Sequence, residues 1–152
     1  MKLLIVLSGL IAVSFAATTT NSHALAEFSA KGISVWSSGG CHEKYNGHCT
    51  SFDGLQLVSL SGVLKFKQTS GCAITITGGT EVGHASGSYS HGNGYKLDIS
   101  DTSCVTNYIT GHYRHTGSRS DGAALYADPH GNVFAHESWL HHWDITWYHY
   151  TK

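Results

Sequence analysis

The residues best placed to do chemistry lie between Ser88 and Ser100, in the run S-Y-S-H-G-N-G-Y-K-L-D-I-S. His91 and Asp98 are seven positions apart, with Asn93-Gly94 between them. That spacing sends the two side chains to opposite faces of an unbroken strand, and Gly92-Asn93-Gly94 disfavours a helix. Asn-Gly is a strong turn signal because both residues tolerate positive φ. A reversal there lets His91, before the turn, and Asp98, on the strand after it, converge. One imidazole and one carboxylate aimed at a point are two of the three protein ligands that a catalytic zinc commonly has. In a chain with 12 histidines such a pair also arises without any metal, so the spacing alone leaves both readings open.

The elements that must position these groups are legible as patterns. Tyr95, Leu97 and Ile99 alternate with Lys96 and Asp98, which predicts a strand that points Asp98 away from its apolar side. In the closing segment, Trp143, Ile145 and Trp147 fall on one side and His142, Asp144, Thr146 and Tyr148 on the other. If the apolar side packs on helices, His142 faces a site together with Asp144. His141 then goes inward with the tryptophans unless a bulge intervenes. Leu55, Val58, Leu60, Val63, Leu64 and Phe66 recur at threes and fours, predicting one helix, or two broken near Gly62, with Ser51 as cap and Gly71 as stop. Ile33–Trp36 reads as an edge strand, Cys72–Thr77 as a strand ended by Gly78-Gly79, and Val105–His115 as a short helix or strand. Turn signals at Ser120-Asp121-Gly122 and at Asp128–Asn132 bracket Ala123–Tyr126 as part of a hairpin. The Gly- and Ser-rich run Thr80–Tyr89 is a loop that delivers His84 and His91.

Composition limits the rest. Only 12% of the 152 residues are Asp, Glu, Lys or Arg, and the formal net charge is −1, so nothing recommends nucleic acid or an anionic membrane as partner. Eighteen Gly, one Pro, eight Tyr and four Trp favour short strands and turns over a helical bundle. Met1–Ala16 has the physics of an export signal: Lys2, an apolar run from Leu3 to Phe15, and small residues at Ser14 and Ala16. That run is too short to span a membrane, and a second possible cleavage lies after Ala26. The expectation is a secreted, extracellular monomer, free of the membrane after cleavage, with residues 17–32 as a flexible leader and 33–152 as a single domain. In an oxidising compartment Cys41, Cys49, Cys72 and Cys104 form two disulfides by default. Of three possible pairings, Cys41–Cys49 and Cys72–Cys104 are preferred, since the first closes a short loop and the second ties segments flanking the His91 motif. The alternative is a zinc site built from these cysteines with His42 and His48, which lacks the usual Cys-x-x-Cys knuckle.

The order His91, Gly94, Asp98, Ile99 resembles the first zinc motif of the Hedgehog/D-Ala-D-Ala peptidase group, S-x-H-x-x-G-x-A-x-D-[IL]. Tyr89 stands in place of the usual serine, and Lys96 in place of the small residue before the aspartate. The family's second motif, an acid shortly before a histidine on the last strand, resembles His142-Trp143-Asp144-Ile145 with Glu137 five residues before His142. The more usual distance is three, so an insertion or bulge is needed. What the resemblance implies is an α+β fold in which a small antiparallel sheet packs against helices. It implies one Zn2+ ion held by His91, Asp98 and His142, with Glu137 as general base and Asp144 as alternative base or as a partner orienting an imidazole. It places His84 beside the metal, and His141 is a further neighbour on the last strand. The implied substrates are the peptide stems and cross-links of bacterial peptidoglycan. Two other classes stay open: a non-catalytic binding module that keeps zinc and fold, and a secreted His-rich protein that sequesters several metal ions.

Overall fold

The computed structural model describes residues 17–151, and the expected export signal, Met1–Ala16, lies outside them. The elements are β1 (Thr18–Thr19), α1 (Asn21–Ala30), β2 (Ser34–Val35), β3 (Leu55–Gln56), α2 (Leu57–Ser70) and β4 (Thr75–Gly78). They continue with β5 (Lys96–Ser100), α3 (Ser103–His112), β6 (Arg114–Ser118), β7 (Ala124–Ala127), β8 (Val133–Glu137) and β9 (His142–Thr146). Among the described residues this is an α+β arrangement of three helices, a seven-stranded mixed sheet and a two-stranded antiparallel sheet. The large sheet runs β2-β4-β5-β9-β8-β7-β6. It is bigger than the small antiparallel sheet expected, because three successive hairpin strands extend one side and β2 adds in parallel to β4 at the other edge.

Alternation decides which face of the sheet is which. Leu97 and Ile99 on β5, Phe134 on β8, and Trp143 and Ile145 on β9 are fully buried in one cluster with Val63 and Phe66 of α2 and Val105 and Ile109 of α3. The opposite face of the same strands carries Lys96, Asp98, His142, Asp144 and Glu137. Helix α2 is unbroken at Gly62 and ends at Gly71, which takes φ 67° and donates to the Lys67 carbonyl at 3.2 Å. Ser51 does not cap it; Gln56 holds that place without a side-chain bond. Gly62 has a packing reason, since a Cβ there would overlap the ring of Trp147.

Against the expectation of a flexible leader, residues 17–32 hold β1 and α1. Thr20 caps the helix by accepting from the His23 N–H at 3.3 Å. Ala24 and Phe28, one turn apart, are buried, and Phe28 meets Phe52 edge-on at 4.9 Å. Two anchors four residues apart suffice to order a segment whose polar composition hides them, and a cleavage after Ala26 would cut this helix. β1 pairs with β3, the Leu57 N–H donates to the Ala17 carbonyl at 2.9 Å, and the Gln56 N–H donates to the Gly94 carbonyl at 3.1 Å. The N-terminal segment is thereby joined to the turn that follows His91.

The disulfides are Cys41–Cys49 and Cys72–Cys104, as preferred, and no cysteine is free. A zinc site using those cysteines is therefore excluded in this form of the protein. The second bridge spans 32 residues, for which loop-closure entropy gives about 3–4 kcal/mol. No helix among the described residues is long and apolar enough to cross a membrane.

Replacing Gly62 by Ala is expected to destabilise the protein by about 1–3 kcal/mol through overpacking against Trp147, measured by urea denaturation. Gly111→Ala, where a Cβ meets nothing within 4 Å, should be neutral or stabilising by up to about 1 kcal/mol. Equal effects of the two substitutions would refute the packing role of Gly62.

Candidate metal centre

The turn after His91 differs from the two-residue hairpin that Asn-Gly predicts. Only Gly94 has positive φ, at 81°; Asn93 does not. The Tyr95 N–H donates to the Ser90 carbonyl at 3.1 Å and the Gly94 N–H to the His91 carbonyl at 2.8 Å. This 6→1 and 5→2 pair is the Schellman pattern that ends a helical turn. The glycine is required twice over, since a Cβ at Gly94 would also collide with the Gly54 carbonyl. The turn still does what the spacing predicts, because it delivers His91 to the face of β5 that carries Asp98.

Asp98 on β5 is directly opposite Asp144 on β9 and opposite Gly78 on β4. Gly78 has no side chain where Asp98 Oδ2 sits, and any Cβ there would overlap that oxygen. His91 Nδ1 lies 2.8 Å from the Gly79 carbonyl. A carbonyl only accepts, so Nδ1 carries the proton and Nε2 is the free ring nitrogen of the neutral imidazole. Nε2 is 3.4 Å from Asp98 Oδ1 and 3.6 Å from Asp144 Oδ1. His142 Nε2 reaches the same Asp98 oxygen at 3.8 Å.

Among the described residues, two groups of donors could hold a metal ion: His84, His91 and Asp98, and Asp98, Glu137 and His142. Within each group the donor atoms lie within 4.8 Å of one another. The expected ligands His91, Asp98 and His142 are thus brought together through Asp98, with the two imidazoles in different groups. His84 stacks on His91 with ring centroids 3.8 Å apart, and its Nδ1 is 4.0 Å from Asp98 Oδ2. Its Nε2 donates to Glu81 Oε1 at 2.9 Å, and Glu81 also accepts from the Ser51 and Gly79 N–H groups. An outer carboxylate of this kind fixes the ring and its tautomer.

The five-residue spacing of Glu137 and His142 needs no bulge within a strand. The two residues are paired across the β8–β9 hairpin, whose connection is a single 3-10 turn, Ser138–Leu140, followed by His141. His141 takes a left-handed φ of 56° and is exposed, so it does not go inward with the tryptophans. Its side chain leaves the strand pattern because the chain is still turning there, and it lines the mouth of the cleft above the donors. Glu137 contacts His142 Nε2 through Oε2 and Arg119 through Oε1.

Two cations complete the cluster. Lys96 Nζ donates to Asp144 Oδ2 at 2.7 Å, and Arg119 Nη1 donates to the same oxygen at 2.9 Å. Asp144 is therefore anchored through Oδ2 by both cations, with Oδ1 left beside His91 Nε2. Arg119 also binds Asp121 through Nε. Sequence reasoning missed Arg119 and Glu81. Arg119 precedes a turn signal, where a cation ordinarily points to solvent, and Glu81 lies in a Gly-rich loop. The scarcity of charge is the one signal that could have singled them out.

Asp98 Oδ1 and Asp144 Oδ1 are buried and have no hydrogen-bond partner among the described residues. Buried carboxylate oxygens without donors are costly, and a cation among the nearby nitrogens relieves that cost. The residues fit such an ion. No family model, curated protein or solved structure matches this chain.

Burial alone would lower the pKa of His91, yet Asp98 and Asp144 raise it from the ordinary imidazole range to about 10. Burial would raise that of Asp144, and His91 and Lys96 hold it below the usual carboxylate range instead. Burial likewise opposes the lowered pKa of Glu81, which His84 and the N–H groups of Ser51 and Gly79 produce. Without a metal, a proton on His91 Nε2 supplies the positive charge these carboxylates need. The folded pKa of His91 lies above its unfolded value of about 6.5. Its stabilisation is thus complete below about pH 6.5 and lost as pH rises through about 10. Chelator-treated protein should show a urea midpoint that falls between about pH 7 and 10, with a flatter profile in His91→Gln. A flat profile in the parent protein would show that His91 is not held charged.

Proposed function

We propose that this chain is a secreted zinc-dependent peptidase that hydrolyses peptide stems or cross-links of bacterial peptidoglycan. The observation that carries the metal is Asp98 Oδ1, buried without a donor, 3.4 Å from His91 Nε2 and 3.8 Å from His142 Nε2. Ligand atoms at about 2.0–2.2 Å from a tetrahedral zinc are separated by roughly 3.3–3.6 Å, close to the spacing of Asp98 Oδ1 from each imidazole. The two imidazoles belong to separate donor groups and would have to be drawn together by the ion. His91, Asp98 and His142 would hold the ion, and two imidazoles with one carboxylate are a donor set suited to it. The order of those ligands in the chain agrees with the family it resembles. The peptidoglycan substrate rests on that resemblance. Two disulfides are compatible with an extracellular protein.

When bound, zinc supplies a Lewis acid for a peptide carbonyl and lowers the pKa of water. The protein's own groups do the rest. With His142 Nε2 turned to the ion and its contact to Glu137 Oε2 given up, that oxygen would take a proton from the attacking water and return it to the leaving amine. Arg119, on its other oxygen, keeps that carboxylate turned toward His142. The Gly79 carbonyl and Glu81 hold the His91 and His84 rings in their tautomers. Both donor groups share Asp98, which supports one ion over the several that a sequestering protein would bind.

A specific observation favours a second reading, a non-catalytic module of the same fold. Both oxygens of Glu137 are engaged, by Arg119 and by His142, as suits a structural carboxylate. Metal analysis and digestion of purified peptidoglycan separate the two. The parent protein is expected to carry one equivalent of zinc and to release peptide fragments that chelator abolishes, while His142→Ala loses the metal. Glu137→Gln should keep the zinc and lose about 10²–10⁴-fold in rate. Zinc retained by His142→Ala would remove that ligand, and intact walls with the loaded parent protein would leave the binding module.

A further inference from the structure

The cleft above the donor groups has a volume of about 290 Å³, and its walls include Trp36, Thr77, Glu81, His84, Leu140 and His142. Glu81 and Asp98 line it together with four histidines, His48, His84, His141 and His142, and among the described residues its walls include no Lys or Arg. The two cations of the site are already committed. Lys96 is held by Asp144, and Arg119 is shared by Asp121, Glu137 and Asp144. The cluster holds five carboxylates against these two cations: Asp121, Glu137 and Asp144 pair with them, while Glu81 and Asp98 stand beside His84. A bound divalent ion would still leave the cluster with an excess of one negative charge.

We infer that the cleft selects an amide bond flanked by neutral groups: an internal or capped stretch of peptide, not a C-terminal residue with a free carboxylate. The inference rests on the peptidase reading above and narrows its substrate class. A free terminal carboxylate entering the cleft meets Glu81 and Asp98 and finds Lys96 and Arg119 already paired, so only the imidazoles of the wall are left to offset its desolvation. A neutral chain instead covers apolar surface at the rim, where Trp36 is 59% and Leu140 56% exposed. The same field acts after the reaction. Hydrolysis places the hydroxyl of water on the carbonyl carbon and its proton on the leaving nitrogen, so one product is a new carboxylate, which the acidic walls help to expel.

The test uses one N-acetylated peptide ending in D-alanyl-D-alanine, prepared as the free acid and as the C-terminal amide. Cleavage by the zinc-loaded full chain is followed by mass spectrometry, and binding to the chelator-treated chain by tryptophan fluorescence. The amide is expected to give at least about a tenfold higher kcat/KM and a Kd lower by a similar factor. Leu140→Lys, which adds a free cation at the rim, should shrink both ratios. Equal or better use of the free acid in cleavage and binding overturns the inference and leaves the peptidase reading standing. Preferential binding of the amide with no cleavage of either peptide supports the stated ligand class and counts against the peptidase reading. Failure of both peptides to bind overturns the inference.

Discussion

Like charges on facing strands are the constraint around which this protein is built. Asp98 and Asp144 sit directly opposite each other on β5 and β9, an arrangement that ordinarily repels. The sheet tolerates it because positive or polarisable partners arrive from three directions. His91 comes from the turn before β5, Lys96 from the same strand, and Arg119 from the far side of the sheet. The other face of these strands supplies the holding force, with Leu97, Ile99, Trp143 and Ile145 fully buried. One face thus stabilises what the other strains, and Asp98 Oδ1 and Asp144 Oδ1, buried without a hydrogen bond, are left to the positive charge that a proton on His91 or a bound cation brings.

Glycine does more in this site than mark turns. Gly78 and Gly94 are placed where any side chain would overlap Asp98 or the Gly54 carbonyl. In each case the absent Cβ is the space into which a functional group or a neighbouring backbone fits. A reading that treats Gly78-Gly79 as the end of a strand finds the boundary correctly and overlooks this use. The Gly79 carbonyl, at 2.8 Å from His91 Nδ1, then sets which nitrogen of that ring is left free.

How much was legible follows from which interactions are local. Period-two alternation around Asp98 and His142 placed both side chains on the face they occupy, because strand geometry is set by nearest neighbours. Six intervening residues sufficed to bring His91 beside Asp98, even though the turn proved to be of the Schellman kind. The disulfides were readable from compartment and spacing. What escaped depends on contacts far apart in sequence. Phe28 orders α1 by meeting Phe52, Arg119 reaches Glu137 and Asp144 across the sheet, and Glu81 is held by the Ser51 N–H. His141 was misplaced because the hairpin turn carries it out of the alternation. The offset of five between Glu137 and His142 looked like an obstacle, yet it is what a four-residue hairpin connection between paired residues produces.

The pairing of β1 with β3 reaches further than its two residues imply. β3 is hydrogen-bonded on one side to Thr18–Thr19 and through Gln56 to Asn93 and Gly94 on the other. An exopeptidase that trimmed a few residues past Ala17 would therefore strip the outer support from the strand that braces the turn after His91. Loss of Thr18–Thr19 would thus loosen the centre from behind.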